Sequence, residues 1–179
     1  MVGPGRQERA WIRGAQGGSA SDLEALFREH WPRAHRAAFL VVQDAAAAED
    51  IAQEAFLGAV RNLDRFDRRR PFGPWLHRIV VNRAIDWARA RSLRRETGEV
   101  ETGGDEFDTG ELGNPFSEGI AAGLASLKPE QRAVIVLRYL LEYSPGEIAE
   151  LLDLPRGTVN SRLRRGLDRL EDILDRERR

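Results

Sequence analysis

The chain has 179 residues, of which 41% are hydrophobic and 32% charged, with a net charge of −1, three His and no Cys. That length suits one medium domain or two small ones of about 70–80 residues, near the lower limit for a self-sufficient core. The composition offers no apolar run long enough for a membrane span, no secretory signal core in residues 1–14, and no thiolate for a disulfide, metal site or nucleophile. Scattered His30, His35 and His77 make no metal centre, so the expectation is a soluble, cytoplasmic protein without metal or cofactor.

Helical periodicity dominates, and no stretch alternates apolar and polar residues as a sheet requires. Residues 1–21 form an extension, partly helical or flexible, whose Gly- and Ser-rich end from Gly14 to Ala20 is loose. The first clear helix opens at Ser21-Asp22-Leu23-Glu24, a Ser-x-x-Glu capping box. Leu23, Leu26, Phe27, Trp31, Ala34, Ala38 and Val41 then share one face, and Pro32 is expected to kink or divide the helix. A second helix runs from about Ala47 to Leu63 on a stripe of Ile51, Ala52, Ala55, Phe56, Ala59 and Leu63. A third covers about Pro74 to Arg94, with Leu76, Ile79, Val80, Ala84 and Trp87 inward, after a loop punctuated by Pro71 and Gly73.

Charge is sorted along the chain. Residues 68–95 hold nine Arg and one Asp, whereas 96–118 hold eight acidic residues and no basic one. This acidic, Gly-rich stretch is expected to be a flexible linker, because it buries too little to offset ordering. Residues 119–179 are again helical, and 155–170 carry a net +4. Lys128 is the one Lys among 28 basic residues; GC-rich codon usage explains that excess as well as function does, but not the clustering. Two basic blocks separated by acidic stretches point to two polyanion contacts.

Ser144-Pro145-Gly146-Glu147 is a capping box with Pro at the first helical position. It opens a short helix with Ile148, Ala149 and Leu152 inside. A tight break at Leu154-Pro155-Arg156-Gly157 follows, and then a helix with Val159, Leu163, Leu167 and Leu170 inside. That is the helix-turn-helix pattern, and its second helix carries Arg156, Thr158, Asn160, Ser161, Arg162, Arg164 and Arg165 where base edges and phosphates are met.

The run from Leu127-Lys128-Pro129-Glu130-Gln131-Arg132 through Glu147-Ile148-Ala149-Glu150 to Gly157-Thr158-Val159-Asn160-Ser161-Arg162-Leu163 is similar to domain four of bacterial RNA polymerase sigma factors. Response-regulator output domains share that style. The first half narrows the choice. Asp44 to Phe56, with Glu49-Asp50-Ile51-Ala52-Gln53-Glu54, resembles the polymerase-binding helix of sigma domain two. Phe72-Gly73-Pro74-Trp75-Leu76 followed by Asn82-Arg83-Ala84-Ile85-Asp86 resembles its promoter-melting helix. Together these motifs resemble the compact extracytoplasmic-function group of the sigma-70 family. Asp153 and Glu142 stand where that family usually has Gly, and Asn160 where Lys is frequent.

The resemblance implies an all-α protein of two small helical domains: domain two over 22–95, an acidic linker over 96–118 and domain four over 119–179. It implies a non-enzymatic factor, without a small-molecule substrate or membrane insertion, that partners core RNA polymerase through the beta-prime clamp and beta subunit. Promoter DNA and an inhibitory anti-sigma factor are its other partners. Asp50, Gln53, Glu54, Leu57 and Arg61 lie opposite the core stripe of the second helix and would dock on the clamp, although a solvated face offers the same polar residues. Arg78, Asn82, Asp86 and Arg89 line one face of the third helix, with Arg83 beside them, and would meet the minus-ten element. Arg68, Arg69 and Arg70 would admit an unstacked base beside Phe66 or Phe72. Trp75 suits the core and a DNA contact alike, and Asp86 suits an ion pair with Arg83 or Arg89. The Arg156–Arg165 set would read the minus-thirty-five duplex. The residues alone also fit a helical regulator binding DNA by itself, or a helical adaptor.

Overall fold

The computed structural model describes residues 4–97 and 118–177, and every regular element among them is helical. The expected linker lies, apart from its two ends, outside the described residues. Helix α1 spans Pro4–Gln16, α2 Ala20–Val42, α3 Ala45–Arg61 and α4 Phe72–Glu96, with a 3-10 turn at Leu63–Arg65 before the loop into α4. Helix α5 covers Glu118–Ala125, α6 Pro129–Tyr139, α7 Pro145–Leu152 and α8 Arg156–Glu177.

Two features of the first half differ from the expectation. Helix α2 is capped by Ser19, not Ser21: Ser19 is extended and its Oγ accepts from the Asp22 N–H at 3.3 Å. The tight turn after α1 explains this, because Gly18 takes a φ of +88° that other residues resist and delivers Ser19 directly to the helix start. The second difference is that Pro32 does not divide α2, which continues to Val42. Pro32 is exposed, while Leu26, Ala34, Ala37 and Ala38 on the opposite side are fully buried. Their packing outweighs the roughly 3 kcal/mol penalty of an interior proline. Helix α2 closes on Gln43 in a left-handed conformation, and Asp44 at once caps α3 by accepting from the Ala47 N–H at 2.9 Å. This short corner sets α2 and α3 side by side, and the stripe Ile51, Ala52, Ala55, Phe56, Ala59 and Leu63 is buried as its periodicity requires.

The second half forms the expected helix-turn-helix. Ser144 Oγ accepts from the Glu147 N–H at 3.3 Å, and the Glu147 carboxylate accepts from the Ser144 N–H at 2.8 Å. Asp153 takes a left-handed conformation with φ 54° at the end of α7, and the Leu154 N–H returns to the Ala149 carbonyl at 2.9 Å. On α8 the inward line steps through Val159, Leu163, Gly166 and half-buried Leu170. Leu167, expected inside, is exposed because this line passes beside it.

The two halves do not stand apart. Helix α6 packs against α2, and both α6 and α7 pack against α4, so one hydrophobic core runs through both. At this junction the buried Arg132 of α6 donates to the Val41 carbonyl at 2.6 Å and to the Leu127 and Ala125 carbonyls at 3.0 and 3.3 Å. Burial pulls its pKa down to about 10, which leaves it protonated at neutral pH. His77 of α4, also buried, meets the Tyr143 hydroxyl through Nδ1 at 2.8 Å. Burial, with the charges of His30 and Arg33, lowers His77 to about 4 and keeps it neutral. Arg33 faces Glu142 at 3.9 Å, and Arg89 of α4 is bonded to Glu130 of α6.

The revised cap gives a direct check. Ser19→Ala is expected to cost about 1 kcal/mol in urea unfolding. Ser21→Ala, within the first turn, should change stability by less than about 0.5 kcal/mol.

Candidate nucleic-acid and polymerase interfaces

The outward face of α3 presents Asp50, Gln53, Glu54, Leu57 and Arg61, all exposed, with Leu57 55% accessible. Gln53 is held by Glu49 at 3.0 Å, and Glu54 is paired with Arg83 of α4, which joins this face to the basic helix behind it. Beside it lies a groove of about 450 Å³ between α2 and α3, lined by Leu23, Phe27, Gln53, Phe56, Leu57 and Val60. Phe27 was expected in the core with Leu26; instead it is 40% exposed and stacks on Trp31 with centroids 4.8 Å apart. Leu57 is thus the visible edge of an apolar groove within a polar rim, as protein-binding surfaces are built.

The loop into α4 is shaped by its own carboxylate. The Asp67 side chain accepts from the Arg69 N–H at 3.0 Å and its guanidinium at 3.3 Å, while the Arg70 N–H closes on the Asp67 carbonyl at 2.9 Å. The Arg69 backbone bond, with the charges of Arg69 and Arg70, holds Asp67 below the usual carboxylate range despite some desolvation. The turn therefore displays Arg68, Arg69 and Arg70 fully outward.

Phe66 and Phe72 do not line this display. They are buried at 9% and 2% exposure, their rings 5.8 Å apart and edge to face. Phe72 also meets Phe56, Trp75 and His30, with ring centroids within 6.4 Å. Their ring faces are occupied by one another, so neither is available to stack on a base in this arrangement. Trp75 resolves into both of its readings: it packs at 4.7 Å from Phe66, yet it is half-buried and borders a cleft of about 900 Å³. Arg70 and Arg78 line that cleft from the first half, and Tyr143, Glu147 and Glu150 from the second.

Along α4, Arg78, Arg83, Asp86 and Arg89 are exposed and Asn82 is half-buried. Arg83 turns to Glu54 and Arg89 to Glu130, so Asp86 is the partner of neither. On α8, Arg156, Asn160, Arg164 and Arg165 are exposed, whereas Thr158, Ser161 and Arg162 are half-buried. The Ser161 hydroxyl donates to the Thr158 carbonyl at 2.9 Å, which spends it within the helix. Among the described residues no cluster of His, Asp and Glu has the form of a metal site, and no helix is long and apolar enough to cross a membrane.

Helix α1, read from sequence as an extension, supports this site. Ile12 is fully buried, and Gln16 donates to the Leu63 and Phe66 carbonyls at 2.8 and 3.1 Å. Glu8 meets His30 Nε2 at 2.9 Å and accepts from the Phe72 N–H at 3.4 Å, so α1 satisfies an orphan donor at the start of α4. The spacing of Trp11, Ile12 and Ala15 was the available signal for this helix. Its contacts with a loop about fifty residues away had no signal at all.

The His30 bond, aided by the Phe72 N–H, lowers the Glu8 pKa below 4.5 against the opposing effect of burial. A lowered folded pKa stabilises above the unfolded value and is lost as pH falls through the folded one. Glu8→Gln should therefore cost about 1–2 kcal/mol at neutral pH. In unfolding curves its gap from the unaltered chain should close as pH drops below 4.5.

Comparison with known proteins follows the same division. The family model described as Sigma-70 region 2 matches residues 26–94, and that described as Sigma-70, region 4 matches residues 117–170. The chain is 37% identical over 140 residues to the ECF RNA polymerase sigma factor SigW of Bacillus subtilis, covering 71% of this chain and 75% of SigW. The structure of CnrH in complex with the cytosolic domain of CnrY is similar with a TM-score of 0.69 and 28% identity, over 94% of this chain and 97% of that one. The sigma factor RpoE of Bartonella quintana, in complex with the anti-sigma factor NepR, shares the fold: TM-score 0.71, 22% identity, 87% and 98% of the two chains.

Proposed function

The chain belongs to the extracytoplasmic-function (ECF) group of the sigma-70 family, a group of transcription initiation factors that bind core RNA polymerase and direct it to promoters, and we propose how its surfaces divide that work. Domain two docks through Asp50, Gln53, Glu54, Leu57 and Arg61 on the clamp coiled coil of the beta-prime subunit, with a further contact of the chain on beta. The observation that carries this reading is the exposed Leu57 at the lip of the α2–α3 groove, an apolar side chain that water alone gives no reason to display. The factor works in the cytoplasm, where its polymerase is.

The minus-ten element meets Arg68, Arg69, Arg70, Arg78, Asn82, Arg83, Asp86 and Arg89, with Trp75 in place of Phe66 and Phe72 as the aromatic surface beside an extruded base. The minus-thirty-five duplex meets Arg156, Thr158, Asn160, Ser161, Arg162, Arg164 and Arg165. Arg suits guanine edges and Asn adenine, each pair worth about 1–3 kcal/mol of discrimination. The acidic stretch over 96–118 tethers the two contacts, so that weak binding by each acts jointly on one polymerase. An anti-sigma factor holds the protein inactive, a reading supported by the partners named with CnrH and RpoE.

Capture of core polymerase by the full chain tests the docking face. Leu57→Arg with Glu54→Arg should weaken capture at least about tenfold, equivalent to about 1.4 kcal/mol; undiminished capture removes this face. In run-off transcription, Arg164→Ala and Arg165→Ala should each lower initiation and flatten its loss with salt, because each phosphate contact adds about 0.9 to the salt slope.

A further inference from the structure

One carboxylate lies between the two DNA-reading surfaces. Glu130, in the first turn of α6, is bonded to Arg89 of α4. Burial opposes its ionisation, but its own backbone N–H, the Arg89 bond and the charges of Arg89 and Arg162 together hold its pKa below the usual range. On the functional reading above, on which this inference rests, Arg89 serves the minus-ten element and Arg162 the minus-thirty-five element. Those elements lie about 25 base pairs apart, roughly 85 Å of duplex at 3.4 Å per base pair. Two cations that act on the same carboxylate are not spaced to read both.

The surrounding contacts have the same sense. Behind Glu130 the junction is dry: Arg132 is bonded to the Val41 carbonyl and His77 to Tyr143, all across the two domains. In the neighbouring cleft, Glu147 and Glu150 of domain four stand opposite Arg70 and Arg78 of domain two. Domain four thus presents carboxylates where domain two would receive phosphates. The twenty residues between Thr97 and Glu118 have a contour of roughly 70 Å, enough with the domains' own dimensions to let them separate.

We propose that the chain inhibits itself through this junction: Glu130 bridging Arg89 and Arg162, with the His77–Tyr143 and Arg132–Val41 hydrogen bonds behind it, latches domain four onto the DNA-binding face of domain two, and core polymerase opens the latch. The joint is built to open. Separation returns a buried guanidinium and a buried imidazole to water, which recovers part of their desolvation and limits the strength of closure.

Because the chain has no Cys, two introduced Cys can be labelled alone. Spin labels at Glu29→Cys on α2 and Asp172→Cys on α8 report the interdomain distance in the full-length protein. The free protein should give one short, narrow distribution, and Glu130→Arg combined with Tyr143→Phe a broad, longer one. Core polymerase should shift the otherwise unaltered labelled protein to long distances. A second arm needs no weakened core: Arg33→Cys with Glu142→Cys, joined by a short reducible bis-maleimide, should lose at least about tenfold of its promoter-directed initiation and recover it on reduction. A broad distribution in the free protein, or a joined protein that initiates undiminished, overturns the latch. The distances of the free protein need no polymerase. If they narrow and broaden as stated while the unjoined protein fails to initiate, the latch stands and the polymerase-docking reading falls.

Discussion

The buried guanidinium of Arg132 is the contact on which the arrangement of this molecule turns. It links three carbonyls from two domains: those of Leu127 and Ala125 at the α5–α6 corner, and that of Val41 in the last turn of α2. A helix C-terminus leaves carbonyls unpaired and carries partial negative charge, so Val41 offers a cation a site prepared in both respects. Ion burial costs several kcal/mol, and the bonds at 2.6 and 3.0 Å offset it only while α6 stays against α2. That condition brings Tyr143 to His77 and Glu130 to Arg89, and it makes the cleft beneath Trp75 a space between domains.

The basic residues divide into those that hold the fold and those it displays. Arg91 is committed, bonded to the Asp44 carboxylate at 2.5 Å and lying over the Trp87 ring. Arg68 to Arg70 are displayed because Asp67 spends its carboxylate on shaping their turn. Arg83 and Arg89 lie between, paired with exposed or half-exposed carboxylates that phosphate can replace at small cost, since surface ion pairs contribute little net stability. A polyanion-binding face therefore coexists with a closed structure, its charge lent to Glu54 and Glu130 rather than buried.

Aromatic packing explains how a mobile-looking Arg loop is held in place. Phe56, Phe66, Phe72 and Trp75 form one cluster from α3, the loop and α4, and α1 seals it through Gln16 and Glu8. Rings in edge-to-face contact leave little freedom to rotate. The loop's ends are fixed by this cluster, and only its charged crown faces solvent. The same economy governs α2, where Phe27 leaves the core to wall the groove beside Leu57.

Much of this was legible along the chain. The stripes of α3 and α4, the Ser144–Glu147 cap, the tolerance of Asp153 for a left-handed turn and the sorting of charge all follow from neighbours within a few residues, where periodicity and capping chemistry act. The family motifs are likewise local. What stayed hidden depends on partners far apart in sequence. Phe66 and Phe72 were assigned to DNA because an aromatic beside Arg looks like a stacking platform; their burial depends on Trp75, Phe56 and His30 arriving together. Ser21 fits a cap as well as Ser19 does until the turn at Gly18 decides between them. Arg132, His77 and Glu130 carry no periodic mark of a junction, since their partners lie some forty to ninety residues away. Local chemistry determined which helices form and which charges they carry, while only the packing of α6 and α7 on α2 and α4 decided which of those charges are spent on each other.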